Sequence, residues 1–182
     1  TPSGGTGMCT IQWQSSADNM TFTDIMGETG TMYSPPTGMI GTTYYRATYT
    51  CTGGGCDAAT SNSSTVTVVA DPTISIDPSS ATVCVGGSVL LTATPSGGTG
   101  MCTIQWQSSA DNMTFTDIMG ENGTTYSPPT GSTGTTYYRA TYTCTGGDCN
   151  GTASSESTVV VVMDPSISIT AGPQTVCVGG DA

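Results

Sequence analysis

Short runs of alternating apolar and polar residues, separated by turn-forming residues, recur along the whole chain. Ile104–Gln107 alternates with the two-residue period of a strand that has one buried face, and Trp106 lies on that face. No window of useful length shows the period of an amphipathic helix. The pattern therefore predicts an all-β chain, with strands at Thr73–Ile76, Thr82–Val85, Ser88–Thr94, Ile104–Gln107, Phe115–Ile118, Thr135–Thr143 and Thr158–Met163.

The chain consists of two copies of one long repeat. Residues 1–26 and 94–119 are identical, and the offset of 93 residues holds to the end of the sequence. Aligning residues 1–89 with residues 94–182 needs no gap and gives 68 identical positions of 89. A repeat of this length is the size of one small β-sandwich and is too long for one turn of a solenoid. Each period is therefore predicted to fold as its own domain.

The repeat predicts three segments along the chain. Residues 1–70 are expected to form a domain without its first strands, residues 71–163 a complete domain, and residues 164–182 the first strands of the next one. At the repeat offset, the last residue, Ala182, corresponds to Val89, which lies inside an apolar strand that continues through Leu90–Ala93. We therefore expect this sequence to be a window on a longer array of repeats.

Composition and charge exclude several function classes. The chain has two cationic side chains, Arg46 and Arg139, no histidine, and a net charge of −11. Binding to phosphate backbones and to anionic lipid surfaces depends on clustered Lys and Arg, so we expect neither nucleic acid nor membrane surfaces as partners. No apolar run approaches the ~20 residues of a membrane-spanning helix, so no membrane insertion is expected.

The residue types that catalysis requires are scarce. An enzyme needs a positioned base, nucleophile or metal, and this chain has neither His nor Lys, so we predict no enzymatic activity and no cofactor. Asp71, Asp77 and Asp164 lie near the predicted domain junctions and offer the oxygen ligands that Ca²⁺ prefers. Asp77 becomes Thr170 one period later, so a repeated calcium site is not expected. Each arginine is expected to pair with an Asp or Glu of its own domain, the alternative being a recognition arginine that holds a carboxylate.

Cysteine is the main covalent feature of the chain. No His and no double CxxC pattern accompanies the cysteines, which disfavours zinc, whereas regular spacing favours disulfides and therefore an oxidising, extracellular or cell-surface location. Without lysine, disulfides are the available covalent cross-link between side chains. The disulfide candidates are Cys9, Cys51, Cys56, Cys84, Cys102, Cys144, Cys149 and Cys177.

Three ordered motifs, VCVGGSVLLTAT, IQWQSSADNMTFTDI and GTTYYRAT, resemble the bacterial immunoglobulin-like tandem repeats of large secreted adhesins and cell-surface filament proteins. The resemblance covers the whole period. It implies tandem immunoglobulin-like β-sandwich domains that act as stalks, spacers or fibre subunits without catalytic residues. The strand Ser88–Thr94 corresponds to the second strand of antibody domains, and it carries Val89, Leu91 and Ala93 where those domains have a cysteine. The central disulfide between the two sheets is therefore expected to be missing.

In such a sandwich the cysteines fall into two groups. One pole is expected to hold Cys102, Cys144 and Cys149, at the ends of the neighbouring third, sixth and seventh strands. The opposite pole is expected to hold Cys84, whose Cα atom would then lie beyond the ~7 Å Cα–Cα limit of a disulfide from the other three. Two of the three clustered cysteines would pair, either Cys102 with Cys144 or Cys144 with Cys149. The remaining cysteine would bridge to the Cys84 equivalent of an adjoining domain; the alternative is one internal disulfide with free thiols.

Two functions remain open. Near-identical units with a low-charge surface favour a structural repeat of an extracellular filament, sheath or stalk that associates with itself end to end. The alternative is an adhesin repeat that binds surface glycans or a host protein through apical loops such as Pro95–Gly100 and Thr145–Asp148. Those loops carry no aromatic platform, which favours the structural function.

Overall fold

The computed structural model describes residues 1–55, 57–169 and 178. These residues fall into two compact units. The first unit comprises Thr1–Asp71 with Gly97–Gly100 and Thr145–Cys149, and the second comprises Pro72–Ser96, Met101–Cys144 and the chain from Asn150 onward. Both units are built from strands.

The described residues of the first unit form one antiparallel sheet. Its strands occur in the spatial order β2-β1-β3-β4, and β5 also pairs with β3. Ile11 lies opposite Tyr49 and Trp13 opposite Ala47, so apolar side chains line one face of the two long central strands. The strands are β1 Thr6–Ser16, β2 Thr23–Asp24, β3 Gly41–Gly53, β4 Ala59–Thr60 and β5 Ser64–Val68.

The second unit has two sheets in the part of it that the structure describes. The larger sheet has the order β10-β9-β12-β14-β7 with β13 also paired to β12, and the smaller one has the order β11-β8-β6. Strand β7 runs parallel to β14, whereas the other pairs are antiparallel. The strands are β6 Thr73–Asp77, β7 Ser80–Cys84, β8 Leu91–Ser96, β9 Cys102–Ser109, β10 Thr116–Asp117, β11 Thr125–Tyr126, β12 Gly134–Cys144, β13 Thr152–Ala153 and β14 Ser157–Val162.

The core of the second unit lies between these two sheets. Inward-facing side chains of β6 and β8 pack against inward-facing side chains of β9, β12 and β14, as two-residue alternation requires. Trp106 and Leu91 are completely buried at its centre. The core residues are Ile74, Ile76, Val89, Leu91, Ala93, Ile104, Trp106, Tyr126, Tyr138, Ala140, Val159 and Val161. The second unit is therefore a two-layer β-sandwich.

The predicted strands are present, with differences at their ends. Strand β8 begins at Leu91 instead of Ser88 and continues through Pro95. Proline has no backbone N–H to donate, but no residue of β11 lies opposite Pro95, so no hydrogen bond to β11 is lost there. The two-residue strands β11 and β13 have no pattern of their own and form because a long strand lies beside them. Cys149 was expected to begin the seventh strand, but it lies in the loop before β13.

Candidate functional site

Within the described residues, each unit contains one disulfide, and it joins the two central strands of that unit. Cys102 and Cys144 are direct partners across β9 and β12, with their Cα atoms 4.0 Å apart, and Cys9 and Cys51 are joined in the same way. Of the two pairings considered for the clustered cysteines, the structure forms Cys102 with Cys144. Both bonds lie within one sheet, which differs from the bond between sheets of antibody domains.

Two further described cysteines, Cys84 and Cys149, are free and half-buried. Cys84 is the last residue of β7 and lies opposite Val162 of β14, whose neighbour Val161 pairs with Gly134 at the start of β12. Cys144 is the last residue of the 11-residue strand β12, so Cys84 and Cys144 lie at opposite ends of this sheet. Cys149 follows β12 in the next loop. Cys56 and Cys177 lie outside the described residues, so the bridge between neighbouring domains stays a prediction.

An aromatic cluster organises the face of the larger sheet. The indole Nε1 of Trp106 donates a hydrogen bond of 2.9 Å to the Gly123 carbonyl, and the indole ring lies 5.6 Å from the ring of Tyr126. Tyr138 continues the row at 5.5 Å from Tyr126. Burial raises the pKa of Tyr126 and Tyr138 above the usual value of tyrosine. These rings fill the sandwich core, as the sequence predicted for Trp106.

The first unit has the same cluster with one side open. Trp13 donates to the Gly30 carbonyl at 2.9 Å and lies 5.6 Å from Tyr33, which is 5.6 Å from Tyr45. The face on which Trp13 lies is a cleft of about 390 Å³. Its lining is Thr1, Pro2, Ser3, Ile11, Trp13, Thr31, Ala47, Thr48, Tyr49, Ala59, Thr60 and Ser61.

The environment of the two arginines corrects the sequence prediction. Nε of Arg139 donates to Oε1 of Gln107 at 2.7 Å, and its guanidinium lies 4.1 Å from the centroid of the Phe115 ring. Gln107 in turn donates to Asp117 at 2.8 Å. In the part of the chain that the structure describes, the direct partners of this arginine are therefore an amide and a ring, because glutamine stands opposite it on β9.

Arg46 has the same environment in the first unit. Its Nε donates to Gln14 at 2.8 Å and its guanidinium lies 3.9 Å from the Phe22 centroid. Gln14 donates to Asp24 at 2.7 Å. The glutamines were not singled out in the sequence, although their position between a carboxylate and an arginine on neighbouring strands follows from strand register.

A tight turn after β9 is fixed by one carboxylate. Oδ1 of Asp111 accepts hydrogen bonds from the backbone N–H of Met113 at 2.9 Å, from that of Thr114 at 2.8 Å and from Oγ of Ser109 at 2.8 Å. These bonds, chiefly those from Thr114 and Met113, lower the pKa of Asp111 to about 2. Asn112 has a positive φ of 58°, which asparagine tolerates better than most residues.

The first unit repeats this turn at Asp18, whose pKa is also lowered to about 2 for the same reasons. The sequence signal for these turns is Asp-Asn between two strands, which predicts a turn at Asp111-Asn112, because Asp side chains bond the backbone two residues on. Both turn carboxylates are structural: Asp18 holds the connection between β1 and β2, and Asp111 holds the connection between β9 and β10.

The described residues contain no group of three or more His, Cys, Asp and Glu side chains that could hold a metal ion. Asp71, Asp77 and Asp164 are therefore not part of such a group. Within the same residues, no helix has the length and apolar character needed to cross a bilayer.

The strand order of the second unit defines its class. One sheet contains β9, β12 and β14, in the places of strands C, F and G, and the other contains β6, β8 and β11, in the places of strands A, B and E, which is the arrangement of an immunoglobulin-like β-sandwich. The chain belongs to the family described as domain of unknown function DUF8696, whose model matches residues 1–70 and 73–163. No curated protein sequence matches the chain.

Solved structures of immunoglobulin-domain proteins are similar to the chain. The crystal structures of Dscam1 isoforms 7.44 and 6.9, each with the N-terminal four Ig domains, give TM-scores of 0.42 and 0.43 at 13% identity. The match covers 85% of this chain and 38% of each of those chains. A Down Syndrome Cell Adhesion Molecule structure with eight Ig domains gives a TM-score of 0.37 at 13% identity and covers 86% of this chain and 22% of its own. The chain thus spans well under half the length of these proteins.

Proposed function

We propose that the chain is a structural repeat of an extracellular filament, sheath or stalk, which associates with itself end to end. The observation that carries the proposal is the recurrence of one geometry at the repeat offset. Disulfide, aromatic row, arginine environment and Asp turn are built twice with nearly the same distances. Because the whole module is repeated, and not one particular site, the chain is suited to an assembly of many identical units.

The distinctive polar side chains support a structural function. Gln107 accepts a hydrogen bond from Arg139 and donates one to Asp117, and Asp111 is bonded within its own turn. These groups stabilise the module instead of converging on a cleft, which is where an enzyme would need them. On this proposal the protein has no enzymatic activity and needs no cofactor.

The disulfides support an extracellular location. Bonds such as Cys102–Cys144 persist in oxidising surroundings and are rare where thiols are kept reduced. On this proposal residues 71–163 are one complete module, with residues 1–70 and 164–182 belonging to the modules on either side. The free thiols of Cys84 and Cys149 then bridge neighbouring modules and staple the array covalently.

Two measurements on material from the native source test the proposal. Negative-stain microscopy should show uniform fibres with an axial repeat set by the modules, and non-reducing peptide mapping should find a Cys84–Cys149 type bridge between modules. Isolated flexible strings would favour the adhesin alternative, in which apical loops bind glycans or a host protein. Bridges confined within one period would exclude the staple but not the filament.

A further inference from the structure

The inference concerns the arginine at the middle of each long central strand. Tyr138 and Ala140 belong to the core of the second unit, so Arg139 between them lies on the face of the sheet that points away from the core. Arg46 has the same place on β3 of the first unit, next to the buried Tyr45. These two arginines are the cationic side chains of a chain that has 13 Asp and Glu residues.

Each guanidinium is held in position but keeps free donors. The Nε atom donates to a glutamine, and the group lies over a phenylalanine ring, at 3.9 Å for Arg46 and 4.1 Å for Arg139. Among the described residues, the hydrogen bonds of both arginines use Nε, so the two Nη groups of each have no protein acceptor. A fork that is already oriented loses less side-chain freedom when it binds an acceptor.

The neighbouring carboxylate does not occupy this fork. Asp117 accepts its hydrogen bond from the amide of Gln107 at 2.8 Å, and the oxygen of the same amide accepts from Arg139, so a glutamine separates the two charges. The first unit has the same order, with Gln14 between Asp24 and the arginine. In an acidic chain with two arginines, this arrangement leaves both cations free to bind a carboxylate from outside the unit.

One further carboxylate lies close to the second arginine along the sheet. Glu156 is the exposed residue before β14, whose first residue pairs with Tyr138, the neighbour of Arg139. Its counterpart in the first unit is Ser63, yet Arg46 has the same contacts as Arg139. The arrangement around the arginines therefore does not depend on Glu156.

The free donors indicate a carboxylate as the ligand. An arginine fork and a carboxylate match in shape and form two parallel hydrogen bonds. A neutral sugar gains less from this site, because the guanidinium already covers a face of the Phe115 ring. In an array of identical units, the nearest source of carboxylates is a second copy of the chain.

A contact that recurs along an array needs a carboxylate that recurs with the repeat. Four pairs of acidic residues are related by the offset of 93 residues. One pair is bonded in the turns after β1 and β9, and another is bonded to the glutamines. The two pairs whose carboxylates accept no hydrogen bond among the described residues are Glu28 with Glu121 and Asp71 with Asp164.

We propose that Arg46 and Arg139 bind carboxylates of a second copy of the chain, supplied by one of these two free pairs. Each contact is a single exposed ion pair and is weak by itself. Because every period supplies one such contact, aligned arrays add them together. The contact joins modules side by side through the outer faces of their sheets, so it deepens the proposed function and rests on it for the array.

The test follows the arginine side chains of the full chain by NMR. A nitrogen-labelled chain gives two arginine Nε–H signals, because the sequence has two arginines, and the Arg139→Gln variant assigns them. The buffer contains about 0.15 M salt, which screens the net charge beyond ~8 Å. Both signals should shift as the chain concentration rises from about 0.05 to 2 mM, the range that populates a contact of millimolar affinity.

Two double variants and a matched control identify the carboxylate, each checked for its β spectrum by circular dichroism. At least one of the double variants should abolish the shift. The control removes two exposed carboxylates that do not recur, so it changes the net charge equally and should keep the shift. The double variants are Glu28→Gln with Glu121→Gln and Asp71→Asn with Asp164→Asn, and the control is Asp57→Asn with Asp148→Asn.

Several outcomes would overturn the inference. These are arginine signals that do not move with chain concentration, a shift that survives in both double variants, and a shift that the control also loses. Signals that move with added polygalacturonate, a carboxylated glycan, but not with chain concentration would assign the arginines to a glycan instead. Fibres in native material combined with static arginine signals would remove this inference and leave the proposed function, whereas a carboxylate-dependent shift without fibres would remove the filament and leave the contact.

Discussion

Leu90 and Leu91 provide a paired test of how β8 is placed in the second unit. They are neighbours in sequence, but Leu91 is 0% exposed in the core and Leu90 is 56% exposed. Replacing either by alanine removes the same atoms from the side chain. The difference between the two variants therefore measures burial and nothing that depends on the residue type.

The expected magnitudes follow from the burial of each side chain. Leu91→Ala removes three buried carbon groups, worth roughly 2.4 kcal/mol of transfer free energy at ~0.8 kcal/mol each, and leaves a cavity beside Trp106. The total loss in the free energy of unfolding of the second unit should be about 3 to 5 kcal/mol. Leu90→Ala should change it by less than about 0.5 kcal/mol, because the side chain lies in solvent.

Urea unfolding followed by tryptophan fluorescence measures both values. The experiment is done in a Trp13→Phe background, so that Trp106 is the reporter and the signal comes from the second unit. With a slope of ~1–2 kcal/mol per molar urea, Leu91→Ala should lower the midpoint by roughly 2 M or more. Equal effects of the two substitutions, or a larger effect at Leu90, would show that β8 is shifted by one residue and would refute the placement of its side chains.

Four further outcomes are expected from the second unit and the chain surface. Replacing Cys102 and Cys144 together by alanine should lower the free energy of unfolding by up to about 4 kcal/mol in the chain-entropy model, because the bond closes a loop with a sequence separation of 42; unchanged urea midpoints would contradict this. Asp111 has its pKa lowered from 3.8 to about 2 in the folded protein, so its carboxylate stabilises the fold above pH 3.8 and this contribution is lost as the pH falls through about 2. Asp111→Asn should therefore reduce the loss of thermal stability across that range, with the Asp18 turn as the internal comparison, and superimposable pH profiles would count against it. A double-mutant cycle of Arg139→Gln and Phe115→Leu should give a coupling of about 0.5 to 1 kcal/mol, and additivity would mean that the ring contact contributes nothing. Hydrogen peroxide should convert all nine methionines to sulfoxides without unfolding, because each is at least 74% exposed; mass spectrometry with circular dichroism measures this, and loss of the β spectrum on oxidation would disprove it.

The local pattern was sufficient to predict the long strands. In β9, Ile104 and Trp106 alternate with glutamines, and this alternation determines which face is buried whatever partner covers it. Because the period repeats, the disulfide, the aromatic row, the arginine environment and the Asp turn occur in both units. Turn residues such as Asp111-Asn112 also act locally, because the carboxylate bonds backbone groups two and three residues on.

Tertiary structure decided what depends on partners distant in sequence. Strand β11 exists because Thr125 and Tyr126 lie beside β8, whereas Met32 and Tyr33 of the first unit, in nearly the same local sequence, form no strand. The register of β9 with β12 places Cys102 opposite Cys144, so these two cysteines form the disulfide. The same register places Gln107 opposite Arg139, so the arginine bonds an amide instead of the expected carboxylate. The most direct case is the tryptophan, since Trp13 and Trp106 have identical neighbours in sequence but different burial. Burial of an apolar face is a property of the layer that covers it, and no stretch of sequence within the face itself contains that layer.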